Sequence, residues 1–146
     1  MQNILNRRAL NGTKRGIIMS REIKFRAWLK EENKMVNVET MDFTDKSMQY
    51  LEKNEIIDAY LLRRMIFDDI ELMQNTGIKG KNGKEIYEDD IVWNEWDEEY
   101  QVVIFDEGEY KLMGESHVQN LYDELDIDIR GNVYENFELV KEWYKE

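Results

Sequence analysis

Glu71 to Leu112 reads ELMQNTGIKGKNGKEIYEDDIVWNEWDEEYQVVIFDEGEYKL, and its reading decides the fold. Ile70, Leu72 and Gln74 alternate with Glu71, Met73 and Asn75, the period of two expected of a strand. Thr76-Gly77 marks its end. Lys81-Asn82-Gly83-Lys84 carries Asn-Gly, the strongest short-range turn signal, because both residues tolerate positive φ. Ile86 and Tyr87 read as packing residues, and Glu88-Asp89-Asp90 as a second turn. Ile91-Val92-Trp93 opens a β-branched and aromatic strand. Gln101 to Phe105 reads as a strand buried on both faces, with Trp93, Val103 and Phe105 as core residues. Asp106-Glu107-Gly108 turns the chain into Glu109 to Met113. Short strands bounded by Gly, Asn or Asp predict a small, strongly bent barrel.

Three segments carry a family resemblance. Leu72-Met73-Gln74-Asn75-Thr76-Gly77-Ile78-Lys79, then Asn82-Gly83-Lys84-Glu85-Ile86-Tyr87-Glu88, then Asp90-Ile91-Val92 resembles the phage-associated YopX pattern L-M-Q-x-T-G-L-K-D-x-N-G-x-x-I-Y-E-G-D-I-V. Arg21-Glu22-Ile23-Lys24-Phe25-Arg26-Ala27-Trp28 resembles that family's opening strand. Arg130-Gly131-Asn132-Val133-Tyr134-Glu135-Asn136 resembles its closing I-G-N-I-Y-E-N. The resemblance spans Met19 to the C-terminus. It implies an SH3-like barrel in the C-terminal part and a prophage origin, and it implies no established activity. Three positions depart from the pattern. Gly80 stands where Asp is common, Phe137 where Pro is common, and Asp89 where Gly is common. Asp tolerates left-handed φ well enough for the turn at Asp89 to survive.

Working outward, residues 19–71 predict an N-terminal unit and residues 72–146 the barrel with a C-terminal helix. Ile23 to Trp28 alternates as a strand with one buried face. Met35 to Val38 returns across Lys30–Lys34 as the second arm of a hairpin, apolar enough to pair across a symmetry axis. Thr40 to Asp45 reads as a loop or irregular edge, and Ser47 to Leu51 as a short strand. Ile56 to Ile66 has two readings. Ile56, Ile57, Tyr60, Leu61 and Met65 fit a helix capped by Asn54, and the alternative is a strand feeding Ile70. We take the helix. Ser116 to Leu125 predicts a helical turn, and Phe137 to Tyr144 a final helix capped by Asn136. The fold class is therefore α+β, mainly β, with short helices.

Composition bounds the function. The 146 residues include no Cys and no Pro, which excludes thiolate sites and leaves turns to Gly, Asn and Asp. No apolar run approaches the ~18 residues of a membrane span. The start lacks an apolar signal-peptide core, so a cytoplasmic location in a bacterial host is expected. Residues 1–18 hold Arg7, Arg8, Lys14 and Arg15 and no acid. The remainder, with 16 cations against 32 acids, is at −16. We read residues 1–18 as a basic leader or an overlong start ahead of Met19.

Few side chains suggest chemistry. His117 is the single His and reads as a surface or structural residue, with no G-x-S-x-G nearby. The carboxylate groups Asp68-Asp69, Asp89-Asp90 and Asp126/Asp128 lack calcium-loop spacing. Gly77, Gly80 and Gly83 are hairpin glycines and not a phosphate loop. No catalytic, cofactor or metal residues are assigned. A domain this acidic repels double-stranded DNA and attracts basic protein surfaces. The segment Trp96, Asp97, Glu98, Glu99 and Tyr100 mixes aromatic and acidic residues near a loop and is the candidate partner-binding site. The expectation is a non-enzymatic phage or prophage accessory protein that binds a protein partner and self-associates. The alternative is an acidic DNA mimic, and a metal-dependent enzyme ranks last.

Overall fold

The computed structural model describes residues 22–122 and 126–145, so the basic leader at 1–18 lies outside the described residues. The described residues are mainly β and form three antiparallel sheets. The first has the order β2(Lys34–Asn37), β1(Phe25–Leu29), β6(Ile70–Lys79), β7(Glu85–Tyr87). The second has the order β3(Thr40–Asp42), β4(Ser47–Asn54), β5(Ala59–Ile66). The third has the order β11(Val118–Asn120), β10(Glu109–Met113), β9(Glu99–Asp106), β8(Asp90–Asn94), β12(Asp128–Asn132). Among the described residues no helix is long and apolar enough to cross a membrane.

One turn design recurs. The links at 30–33, 43–46, 55–58 and 95–98 each have four residues, and the last takes a left-handed φ: Asn33, Lys46, Asp58 and Glu98. Three of the four are fastened by the residue before them. Asp42 Oδ1 accepts from the N–H of Thr44 and Asp45, Asn54 Oδ1 from Ile56 and Ile57, and Asn94 Oδ1 from Trp96 and Asp97. These side chains replace backbone partners that a tight reversal leaves unmet.

That design overturns the helix at 56–66. Asn54 caps a reversal, and Ala59 to Ile66 then pairs with β4 over eight unbroken positions, from Asn54↔Ala59 to Ser47↔Ile66. A complete hydrogen-bonded ladder outweighs a helical spacing of apolar residues, since propensity is a weak prior. Of the helical turn expected at 116–125, the described part is a strand instead: Val118 to Asn120 is β11, laid against β10 in the register Leu112↔Gln119, and residues 123–125 lie outside the described residues. The final helix shrinks to a 3₁₀ turn at Phe137–Leu139. Its intended cap is engaged elsewhere, because Asn136 Oδ1 accepts from the Asn132 N–H at 3.1 Å and makes no cap bond. The strand read as ending at Thr76-Gly77 runs on to Lys79 through an irregularity in its pairing with β7.

Three clusters fill the interior. Ala27, Leu29, Met48, Tyr50 and Ile70 form one between the first two sheets. The third sheet is covered on both faces: Ile86, Val92, Val103 and Leu112 pack on one side, and Ile91, Val102, Val133 and Val140 on the other. The strand read as buried on both faces is thus β9, where Val102 and Val103 are both fully enclosed. Two of the expected core aromatics depart from that. Phe105 is 55% exposed, because the strand has run past the cluster, and it rests edge-on against Tyr110 at 5.0 Å. Trp93 is only partly buried, edge-on to Tyr100 at 4.9 Å.

Two side chains of β1 reach into the C-terminal part. Arg26 bonds Asp90 Oδ1 at 2.8 Å and the Glu88 carbonyl at 3.2 Å, and its guanidinium lies 4.7 Å from the centre of the Tyr87 ring. Trp28 stacks on Tyr134 at 5.6 Å. Asp90 also accepts from the Tyr87 N–H at 2.8 Å. Burial pushes its carboxyl up, against the pull of Arg26.

Candidate functional site

The candidate segment forms the tip of the β8–β9 hairpin. Asn94 holds the turn as described, and its amide also donates to Asp97 at 3.0 Å and to Gln101 at 3.1 Å. The fastened turn leaves Trp96 projecting from the tip, 94% exposed. Beside it opens a cleft of about 370 Å³. It is lined by Trp96, Asp97, Tyr122, Asp126 and Asp128 together with the apolar Val92, Leu112 and Ile127. Its rim is rich in acids. Lys81 crosses toward Glu95 at 3.9 Å, and Asp128 is held by Arg130 at 2.8 Å.

The five predicted residues separate. Trp96 and Asp97 line the cleft. Glu98 is the left-handed residue of the turn and is exposed. Glu99 turns to the buried Gln101, which donates to it at 2.9 Å, and to the Glu115 N–H at 3.3 Å. Tyr100 packs on Trp93.

Sequence reasoning missed what joins them. His117 Nε2 lies 3.2 Å from Asp97 Oδ2, and Asp97, Glu99 and His117 bring ligand atoms within 4.8 Å of one another. They come from two strand ends about twenty residues apart, and no local spacing signals that. The group has the donor types for a divalent cation. The Gln101 amide already donates to both carboxylates, at 3.3 and 2.9 Å, and supplies positive charge density there. The other carboxylate groups have separate duties. Asp90 pairs with Arg26, Asp89 accepts from the Tyr134 hydroxyl at 3.2 Å, and Asp68 and Asp69 sit in an exposed 3₁₀ turn.

The motif residues act on the backbone. Asn82 and Gly83 both take positive φ, and so does Asp89 in place of the usual Gly. Thr76 Oγ1 donates to the Ile86 carbonyl at 2.8 Å, and Asn75 Oδ1 accepts from the Gly77 N–H at 2.7 Å. Asn132 Oδ1 accepts from the Tyr134 and Glu135 N–H groups. At Gly131 a Cβ would meet Asn136 Oδ1 at 2.1 Å, which only glycine avoids. The Gly80 departure has its own cause: a Cβ there would lie 2.6 Å from the Ile127 carbonyl oxygen.

The family described as YopX protein matches residues 24–141. No curated protein matches the chain. Among solved structures, the crystal structure of protein EF1440 from Enterococcus faecalis is similar with a TM-score of 0.60 at 22% identity, covering 83% of this chain and 99% of that one. At that identity the likeness concerns the fold.

Proposed function

This chain belongs to the YopX family, and from that premise we propose that it is a non-enzymatic accessory protein of phage or prophage origin that acts by binding a protein partner in the bacterial cytoplasm. The observation that carries the proposal is Trp96, set bare at the lip of an acid-rimmed cleft. Large exposed aromatics at a cleft are characteristic binding anchors. The acids around this one select a basic segment of the partner, through ion pairing and cation–π contact. The motif residues support a role other than catalysis, since their polar groups are engaged in turns. In this reading the meander of β8 to β11, with β12 returning to pair with β8, is an SH3-like barrel, a scaffold suited to peptide recognition at its loops. The alternative, a mimic of DNA, rests on the net charge of −12.

The test is anisotropy of labelled oligoarginine and oligolysine peptides, with a labelled DNA duplex alongside. Binding to the peptides, weakened tenfold or more by Trp96→Ala, is the expected outcome. Duplex binding in the micromolar range at physiological salt, or peptide binding indifferent to Trp96→Ala, overturns the proposal.

A further inference from the structure

Among the described residues each of the three sheets has two edge strands. Five of these, β2, β7, β11, β12 and β3, run from three to five residues, whereas β5 runs for eight, Ala59–Ile66. Short edges resist accretion of further strands and long ones invite it. Proteins usually blunt a long edge with a bulge, a proline or a projecting charge. The β4–β5 ladder has no bulge, and the chain has no proline. The two charges of β5 are drawn back onto its own sheet, Arg63 to Glu52 and Arg64 to Asp45. Met65 packs on the core and Ala59 is half-buried, but Tyr60, Leu61, Leu62 and Ile66 are uncovered: Leu62 is 54% exposed and Tyr60 64%, with Leu51 beside them on β4. At the hairpin tip Ile56 is 94% exposed.

We propose that β5 is a dimerisation edge, pairing antiparallel with β5 of a second copy about a two-fold axis at Leu62 to make one continuous six-stranded sheet. The choice of a second copy follows from self-complementarity. Opposed residues in an antiparallel pair point to the same face, and a two-fold axis normal to the sheet preserves faces, so the axis must pass at a residue opposite its own copy. An axis at Arg63 or Arg64 would set like charges opposite each other, which is destabilising. An axis at Leu62 sets Leu62 against Leu62, Leu61 against Arg63 and Tyr60 against Arg64. The last pair permits cation–π contact, and no acid lies within Ala59–Ile66 to oppose another. Two such strips bury on the order of 1,000 Å², at the low end of specific interfaces.

The absence of cysteine makes the register directly testable. Residues at the axis have Cα atoms about 4.5–5.5 Å apart, within disulfide reach. Under mild oxidation the full chain carrying Leu62→Cys should cross-link to dimer, and one carrying Tyr60→Cys should not. Light scattering of the unmodified chain should show mass rising toward that of a dimer with concentration, and Leu62→Lys should keep it monomeric with an unchanged circular dichroism spectrum. A monomer at all concentrations, a dimer indifferent to Leu62→Lys, or equal cross-linking at both positions overturns the proposal. Cleft binding by Trp96 is untouched by any of these outcomes.

Discussion

The hairpins β4–β5 and β8–β9 are built from the same local parts and meet opposite surroundings. Each turns on an asparagine, Asn54 or Asn94, followed by four residues ending in left-handed φ. Each lifts a large apolar side chain at its tip, Ile56 or Trp96. Yet β8 and β9 have neighbours on both sides and apolar clusters on both faces, while β5 has a partner on one side and exposed leucines. Turn chemistry makes a hairpin, and the position of that hairpin in its sheet decides whether its apolar residues stabilise the fold or remain available to a partner.

The comparison breaks most sharply by cavity formation. Ile91→Ala, in β8, should cost about 2–5 kcal/mol in denaturant unfolding, the range for emptying a packed site. Leu62→Ala, in β5, should stay within about 0.5 kcal/mol at concentrations where the chain is monomeric, as exposed substitutions do. Equal costs would show that the two hairpins are embedded alike.

A smaller effect sharpens it. Asn54→Ala and Asn94→Ala each remove a side-chain acceptor from two backbone N–H groups, worth about 1 kcal/mol as for caps. Asn94 should cost more, because its amide also holds Asp97 and Gln101. Thermal midpoints of the two variants give the order, and a larger loss at Asn54 would contradict it.

The smallest effect is in acid. Asp45, bonded to Arg64, and Glu52, bonded to Lys34, have carboxyls below their usual range. A depressed folded value contributes stability that is present above the unfolded value of about 4 and is lost as pH falls through the folded one. Asp90 has the opposite sign: its raised value means that the folded state takes up the proton more readily, so its contribution grows as pH falls. Amide protection, taken relative to the intrinsic exchange rate at each pH, should therefore fall in β4–β5 before β8–β9 as pH drops from 6 to 3, and a simultaneous loss would remove the distinction.

What was legible in the sequence follows the same division. β8 and β9 were readable because β-branched residues covered on both faces form continuous apolar runs, and Asn82-Gly83 and Asp89 announced the turns on either side of β7 through residues that accept positive φ. β5 was misread because an exposed edge has no inside–outside alternation to display, which left Ile56, Tyr60 and Leu61 to mimic a helical stripe. Asn136 was misread because a cap and a loop clamp draw on the same side-chain oxygen. Phe105 was misread because alternation gives the face of a strand and not where its core ends. At the candidate site the exposed Trp96 and the acids near it were readable. His117 was not, since its neighbours are set by the β9–β10 pairing and not by spacing.

The Arg26–Asp90 pair also orders assembly in time. On a chain emerging from the ribosome, β1 waits for Met73 and its neighbours to form its second ladder, and for Asp90, 64 residues on, to neutralise its guanidinium. Tyr134, which stacks on Trp28, arrives later still. Closing loops of that length precedes any gain from the contacts and slows folding. The opening strand is therefore made among the first and secured among the last, and a nascent chain cut short before Asp90 leaves the Arg26 guanidinium without its carboxylate.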